Sequence, residues 1–432
     1  MELSAPLVSI PPTDSNGTRY GGARVIVRLH TRPLGVVDVA LGEEGAFAAS
    51  CAAAIWAALG AKVNDHLRRD GLPEVLGLDE RGLAPARSPR CLLRRLAVLA
   101  TAPPASVIVC TRNRAELLAR TLSSLEQLDY PDYELIVVDG SRTSATADLV
   151  RERFPAVRFL DVGDHGKCVA LNRGVAAASG TIAAFTDDDV QVDRHWLAQL
   201  VAAFDDDRVA CVTGAVLPLE LRTRAQLWFE ESGGFTNGFE PRKLGLDLPR
   251  EPGSLVPYAT GRIGAGVNMA WRPTVLRDLG GFDVALDTLR PVWPPGAGHR
   301  TAAEDLAAFF DALVRGYRIV FEPGAIVFHE HRRTYDELAE QLYWHGIGLS
   351  AYLTRCLVTR PAQIPDFLRR VPSGIAYGFA ALSQGNDDKS ANFPPALTRA
   401  EWRGVIHGPF AYLKGLPLAR RIRAAQVGDR AR

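Results

Sequence analysis

Between Gly180 and Asp189 the chain passes from the uncharged run Thr181-Ile-Ala-Ala-Phe-Thr186 straight into three carboxylates, Asp187, Asp188 and Asp189. A short run of this kind reads as a buried strand, and the glycine before it can end a helix. The acids fall where that strand should stop. In an open parallel sheet, ligands sit beyond the carboxyl ends of the strands. Crowded like charges raise one another's pKa, so three acids there are unfavourable unless a cation or hydrogen bonds compensate. The pattern points to a divalent-metal site that receives a diphosphate. The competing reading is a solvated acidic turn ahead of a helix starting near Arg194. Asp205-Asp206-Asp207 has the same composition but follows the apolar face Trp196, Leu197, Leu200, Val201, Phe204, and so reads as a solvated helix end.

Around this stretch, strands alternate with helices. Ser106 to Cys110 is an apolar strand, and Glu116 to Leu128 carries leucines at helical spacing. Leu135 to Val138 is a strand ending at Asp139. A helix near Ala147 to Phe154, a strand at Val157 to Leu160 and a helix after Lys167 follow. This repetition predicts an α/β fold with helices on both faces of a parallel sheet. Further on, Val209 to Thr213 is a strand and Leu217 to Thr260 an irregular connection. Pro273 opens a helix that ends at Gly280-Gly281, and Val284 to Arg300 is a Pro/Gly-rich loop of the kind that forms lids. Glu304 to Arg315 is helical. Arg318 to Phe321 and Ala325 to Phe328 are two strand-like runs leading to His329. Beyond about Asp366 the tail alternates weak helical pieces with polar loops.

Before Ala105 the pattern differs. Residues up to about Gly22 read as a mobile tail, Arg24 to Leu29 and Val36 to Leu41 as strands paired across a turn at His30 to Gly35, and Ala46 to Arg69 as a helix. The expected division is an α+β module over 1–100, with no assigned role, a catalytic domain over 101–352 and a helical extension over 353–432.

Composition excludes several classes. A formal net charge of +1 gives no argument for nucleic acid as a partner. The six cysteines are widely spaced with no CxxC, which argues against structural zinc and a disulfide framework and fits a reducing, cytoplasmic compartment. No secretory signal is visible, and the longest uncharged run, Gly45 to Ala61, falls short of the roughly 20 apolar residues a span needs. Membrane contact is expected to be peripheral at most, at the inner face.

Seven pieces in order then resemble family-2 glycosyltransferases: Val107-Ile-Val-Cys-Thr-Arg-Asn113-Arg, Leu135-Ile-Val-Val-Asp139-Gly-Ser, Ala170-Leu-Asn172-Arg-Gly174, Thr186-Asp-Asp-Asp189, Gly280-Gly-Phe-Asp283, Glu304-Asp305 and Pro323-Gly-Ala-Ile-Val-Phe-His329. The resemblance covers about Ser106 to Tyr352. It implies a GT-A (Rossmann-like) fold with a mixed, mainly parallel sheet, a nucleotide-sugar donor with a UDP-sugar foremost, Mn²⁺ or Mg²⁺, and inversion at the anomeric carbon by a non-processive enzyme. On this sequence it implies that Thr111, Asn113, Arg114 and Asp139 hold the nucleoside, that Lys167 neutralises a donor phosphate, that Asp187 faces the ribose or the metal, and that Asp188 shapes the turn or meets the sugar. The metal falls to Asp187, Asp189 and His329. Asp305 becomes the general base, with Glu304 steering the acceptor, a glycan, lipid-linked or small-molecule hydroxyl, or supporting the loop. Acceptor contacts are expected among Leu217 to Thr260, the Trp293 loop and Arg332 to Trp344. His331 reads as structural. Two rivals remain: a sugar nucleotidyltransferase, and a non-catalytic nucleotide-sugar-binding or scaffold protein.

Overall fold

The computed structural model describes every residue except 86, 236, 251–252, 288, 290–302, 375–392 and 431–432. It divides into two compact units, Met1–Ala102 with Gly238–Pro241, and Pro103–Asn237 with Arg242–Arg432.

In the first unit, β1 (Gly22–Leu29) and β2 (Arg32–Ala40) form an antiparallel hairpin. The turn is tighter than the sequence suggested: only His30 and Thr31 separate the strands, both at positive φ (55° and 67°), as a two-residue turn matched to strand twist requires. Val25, Val27 and Leu29 alternate inward and meet Ile55, Leu59 and Val63 of α1 (Ala48–Arg69). By contrast α2 (Arg90–Thr101) buries none of its residues.

The second unit is built on a nine-stranded sheet. In chain order its strands are β3 (Ala105–Thr111), β4 (Tyr133–Asp139), β5 (Arg158–Asp161), β6 (Ile182–Thr186), β7 (Val190–Val192), β8 (Val209–Pro218), β9 (Arg242–Leu244), β10 (Asn268–Trp271) and β11 (Arg318–His329). They lie in the order β5-β4-β3-β6-β10-β8-β11-β7, with β9 on β11. The sheet is mixed, as expected. Pairing is parallel across β5-β4-β3-β6 and between β8 and β11, and antiparallel at the other joins. The parallel block carries the acidic triplet. Helices α3 (Ala115–Leu125), α4 (Ala145–Arg153), α5 (Lys167–Ala177), α6 (Trp196–Ala202), α7 (Arg224–Glu231), α8 (Pro273–Asp278) and α9 (Glu304–Val314) connect the strands. β3 and β6 are buried because both faces are covered, which is why they read as uncharged runs.

Four expectations change. The first 22 residues are not a mobile tail: Leu3 and Leu7 are buried in the first unit's core, and Leu3 N donates to Arg28 O at 2.7 Å. The connection after Leu217 contains α7, started by a reciprocal capping box of Thr223 and Gln226. The two runs before His329 are one strand, β11, whose register against β8 shifts between Glu322 and Ile326 to absorb Pro323-Gly324. The tail is more regular than its composition suggests: α10 (Tyr335–Thr359) runs through residue 352, residues 364–374 are helical (α11), and Pro395–Arg430 forms one helix, α12, despite Pro409 and Pro417 within it. Of the loop expected over Val284 to Arg300, the first turn is a 3-10 helix (Val284–Leu286), and the Trp293 portion lies outside the described residues. No helix among the described residues is long and apolar enough to cross a membrane.

Candidate active site

β6 delivers the three acids to the carboxyl edge of the sheet, and each meets a different environment. Asp188 is 5% exposed; it accepts from Thr111 Oγ1 at 2.7 Å, across from the end of β3, and from Arg114 Nη1 at 3.1 Å. Burial, then the neighbouring Asp189, pushes its pKa from 3.8 up to about 6. Charging it at neutral pH therefore costs the folded state roughly 3 kcal/mol, a penalty absent below pH ~4, growing between pH ~4 and ~6 and complete above the folded value. Asp189 is 7% exposed and its pKa is also raised, by burial and by Asp187. Its Oδ2 accepts from Arg114 Nη1 at 3.1 Å, while its Oδ1 is buried without a hydrogen-bond donor. An orphaned buried carboxylate oxygen is costly, and a cation is what such an atom lacks.

Facing that oxygen is His329, the last residue of β11, with Nε2 at 3.4 Å from Asp189 Oδ1. Asp187, Asp189 and His329 each offer a ligating atom within 4.8 Å of the others. Burial, then His331, depresses the His329 pKa to about 3, so the ring is neutral. Its tautomer follows from a chain of contacts. Glu230 Oε1 only accepts, so His331 donates to it from Nε2 (2.9 Å), and His331 Nδ1 is left an acceptor. His329 then donates from Nδ1 to His331 Nδ1 at 3.3 Å, and its Nε2 lone pair points at the acids. Two carboxylate oxygens and one imidazole nitrogen are a donor set that suits Mn²⁺ or Mg²⁺. The sequence reading treated His331 as structural; its position sets the orientation of His329.

On the other side, Lys167 Nζ bridges Asp187 Oδ1 (2.8 Å) and Glu304 Oε1 (3.3 Å). Burial alone would lower its pKa, but Asp187 and Glu304 outweigh that and hold the ammonium charged. For Asp187, burial opposes ionisation, yet Lys167 prevails and its pKa falls below the ordinary value. Lys167 opens α5, whose amino end is not open to a phosphate. Asp287 fills it, accepting from the Cys168 and Val169 N–H groups at 2.9 and 3.1 Å. Nothing local in the sequence signals that cap, since Asp287 lies more than a hundred residues downstream. On the far side of the same 3-10 turn, Asp283 receives Arg355 Nε of α10 at 2.9 Å and Arg423 of α12.

Glu304 and Asp305 begin α9, entered through Ala303 at φ 61°, a strained conformation for a residue with a Cβ. Asp305 accepts from the Gly266 N–H at 2.6 Å and the Leu306 N–H at 2.8 Å. Burial, then the adjacent Glu304, raises its pKa to about 6 against those two donors. A carboxylate poised near that value suits a general base.

The remaining candidates gather at the neighbouring strand ends. Thr111 of β3 lies opposite Asp139 of β4. Asp139 is 3% exposed and accepts from Ser141 N at 2.9 Å and Ser141 Oγ at 2.5 Å. Ser141 Oγ in turn accepts from Asn113 N at 2.7 Å, which holds Asn113 at φ 55°. Asn172 exchanges two 2.8 Å hydrogen bonds with the Phe282 backbone. Arg332, at the start of a region expected to meet the acceptor, has its Nη2 3.9 Å from Asp189 Oδ2. Within the regions expected to meet the acceptor, Trp344 is buried and Trp228 packs edge-on to Tyr335. A groove of about 620 Å³ along α3 and β7 contains none of the candidate residues. The control triplet behaves as expected of a surface: Asp205 pairs with Lys243, Asp206 with Arg318, and Asp207 is fully exposed.

Residues 106–261, which carry the acidic triplet and the Asp139 loop, match the sequence profile of Glycosyl transferase family 2. Over this stretch the chain is similar to family-2 glycosyltransferases. Its curated relatives include the pre-mycofactocin glycosyltransferase of Mycobacterium tuberculosis, 27% identical over 246 residues that make up 56% of this chain and 46% of that protein. A glucosyl-dolichyl phosphate glucuronosyltransferase of Haloferax volcanii is 25% identical over 56% of this chain and 74% of its own. A beta-monoglucosyldiacylglycerol synthase of a Nostoc species is 30% identical over 33% of this chain and 31% of its own. The chain thus spans about half the length of the first relative it matches. Among solved structures it is similar to a mannosyltransferase from Pyrobaculum calidifontis, at a TM-score of 0.43 and 20% identity, over 74% of this chain and 95% of that one. Site residues that local sequence did not signal are Glu230, which partners His331 behind the metal-ligand candidate, and Asp287 behind Lys167.

Proposed function

We propose that this chain is a glycosyltransferase that moves a sugar from a nucleoside-diphosphate donor, a UDP-sugar foremost, onto an acceptor hydroxyl with inversion, and depends on Mn²⁺ or Mg²⁺. The observation that carries the reading is the orphaned Asp189 Oδ1 facing the lone-pair side of a neutral His329, within reach of Asp187. Asp187, Asp189 and His329 would hold the ion, which when bound stabilises negative charge on the leaving diphosphate. The chain's own residues do the rest. Asp139 and the Thr111-to-Arg114 loop seat the nucleoside, with Asp139 accepting a base N–H. Lys167, released from Asp187, supplies a fixed positive charge to a phosphate. Asp188 keeps the turn closed through Thr111 and Arg114. Asp305 takes the acceptor proton, a contribution of about 10²- to 10⁴-fold, and Glu304 orients the acceptor.

An exposed stripe on α12, Trp402, Ile406, Phe410 and Leu413, favours an acceptor met at an apolar or membrane surface over a freely diffusing metabolite. The test is to incubate the full chain with nucleotide sugars and Mn²⁺, follow nucleoside diphosphate release, and assign the product anomer by NMR. Release of pyrophosphate instead would favour nucleotidyl transfer. Tight donor binding with no release from any donor–acceptor pair would favour a binding protein.

A further inference from the structure

A second cluster lies wholly within the amino-terminal unit, and nothing in the glycosyltransferase chemistry uses it. His30, His66, Asp70 and Cys91 each place one ligating atom within 4.8 Å of the others. They come from three elements: His30 from the β1–β2 turn, His66 and Asp70 from the last turn of α1 and the residue capping it, and Cys91 from the first turn of α2. We infer that these four side chains form a structural Zn²⁺ site.

The contacts cannot be satisfied by protons alone. His30 Nδ1 lies 3.1 Å from His66 Nε2 and 3.0 Å from Asp70 Oδ2, and His66 Nε2 lies 3.2 Å from the same oxygen. A carboxylate oxygen only accepts. If both imidazole nitrogens donate to it, two N–H groups oppose each other; if either is an acceptor, its lone pair opposes the carboxylate. One side of the triangle is repulsive in every tautomer. Cys91 Sγ crowds the same oxygen at 2.8 Å and lies 4.0 Å from His66 Nε2. A cation at the centre makes all four groups ligands. A tetrahedral zinc with ordinary bond lengths sets its ligands about 3.3–3.6 Å apart; the separations above run from 2.8 to 4.0 Å and all four atoms lie within 4.8 Å of one another, so modest adjustments bring them onto one ion.

The surroundings point the same way. His30 is 2% exposed and its Nε2 has no hydrogen-bond partner, so only its Nδ1 edge holds the ring. It occupies a left-handed turn position that usually takes Asn or Gly, and strain of that sort persists where the side chain is needed. The Cys91 backbone N–H donates to Asp70 Oδ1 at 3.0 Å, which leaves Oδ2 for the metal. α2 buries no residue and is tied in by Cys91 and by Arg95 Nη1 to Thr31 Oγ1 at 2.6 Å. A metal would fasten the start of α2 to the hairpin and to α1, as small units with limited cores require. Two nitrogens, one thiolate and one carboxylate select zinc over the harder ions suited to Asp187, Asp189 and His329.

The test uses the full chain. Purified protein should retain stoichiometric Zn²⁺ through dialysis. After chelation and refilling with Co²⁺ it should show tetrahedral ligand-field bands and a thiolate-to-cobalt charge-transfer band. Because the acidic cluster contains no cysteine, that last band reports the amino-terminal site alone, and Asp189→Asn should leave it intact. Cys91→Ser should abolish it, and His66→Ala should weaken metal retention by more than the ~10- to 100-fold that loss of a supporting residue costs. Chelation and refilling need no variant, so a misfolded substitution cannot mask the result. An unmutated chain with no retained zinc and no thiolate band overturns the site, as does a Cys91→Ser chain that keeps the band.

Discussion

Asp305 sits between two backbone donors and a second acid, and holds its proton until the pH reaches about 6. If it is the general base, it works only when ionised, so kcat/KM should fall as pH drops below about 6 and level off above it. Asp305→Asn should keep donor affinity and lose transfer by about two decades or more, with the acid limb gone. Near-normal turnover in that variant would remove Asp305 from the reaction. The Glu230–His331–His329 chain makes a separate prediction about metal. His331→Phe and Glu230→Ala should each weaken Mn²⁺ binding by about 10- to 100-fold, measured by free-ion EPR, while His329→Ala weakens it further. Unchanged affinity in both supporting variants would mean that tautomer control is not their role. The acids themselves were legible, because a buried strand ending in charge is a local pattern, and the helix-end triplet at Asp205 showed what a solvated version looks like. The relay was not, since His331 and Glu230 are 101 residues apart and only the folded chain aligns their ring and carboxylate.

Elements were legible where one local rule dominates. Apolar runs announced β3, β4 and β6, and Pro273 and Gly280-Gly281 bracketed α8. The sequence was opaque where tertiary contact overrides local preference. α12 holds two prolines and weak periodicity, yet it persists because it packs closely on α10. Gly404 lies against the Tyr343 carbonyl, Gly408 against the Ser350 hydroxyl and the Ile347 carbonyl, and Gly346 against the Glu401 carbonyl, so the two helices approach closely at these points. Gly404→Ala would drive a methyl group into the Tyr343 carbonyl. It should destabilise the chain by roughly 1–3 kcal/mol, seen as a lower Tm and earlier proteolysis near α12. An unchanged Tm would show that the helices can separate freely. The zinc ligands were hidden for a related reason: cysteine spacing argued against a metal because only one of the four is a cysteine, and the others arrive from a turn and a helix end.

For the whole molecule, the family match covers residues 106–261, whereas the acids it contains are completed from beyond it: His329 from β11, Glu304 and Asp305 from α9. Chain order therefore says little about which parts cooperate. The single turn Val284–Leu286 makes this concrete. At one end Asp283 is gripped by Arg355 and Arg423 from the last long helices; at the other Asp287 seats the first turn of α5, where Lys167 begins. The turn behaves as a mooring between the carboxyl-terminal end of the chain and the ammonium that faces the acids. Cutting the chain ahead of Pro395 should slacken it, so that the donor KM rises well before the fold melts. A KM indifferent to the cut would mean that the tail exerts no pull on Lys167.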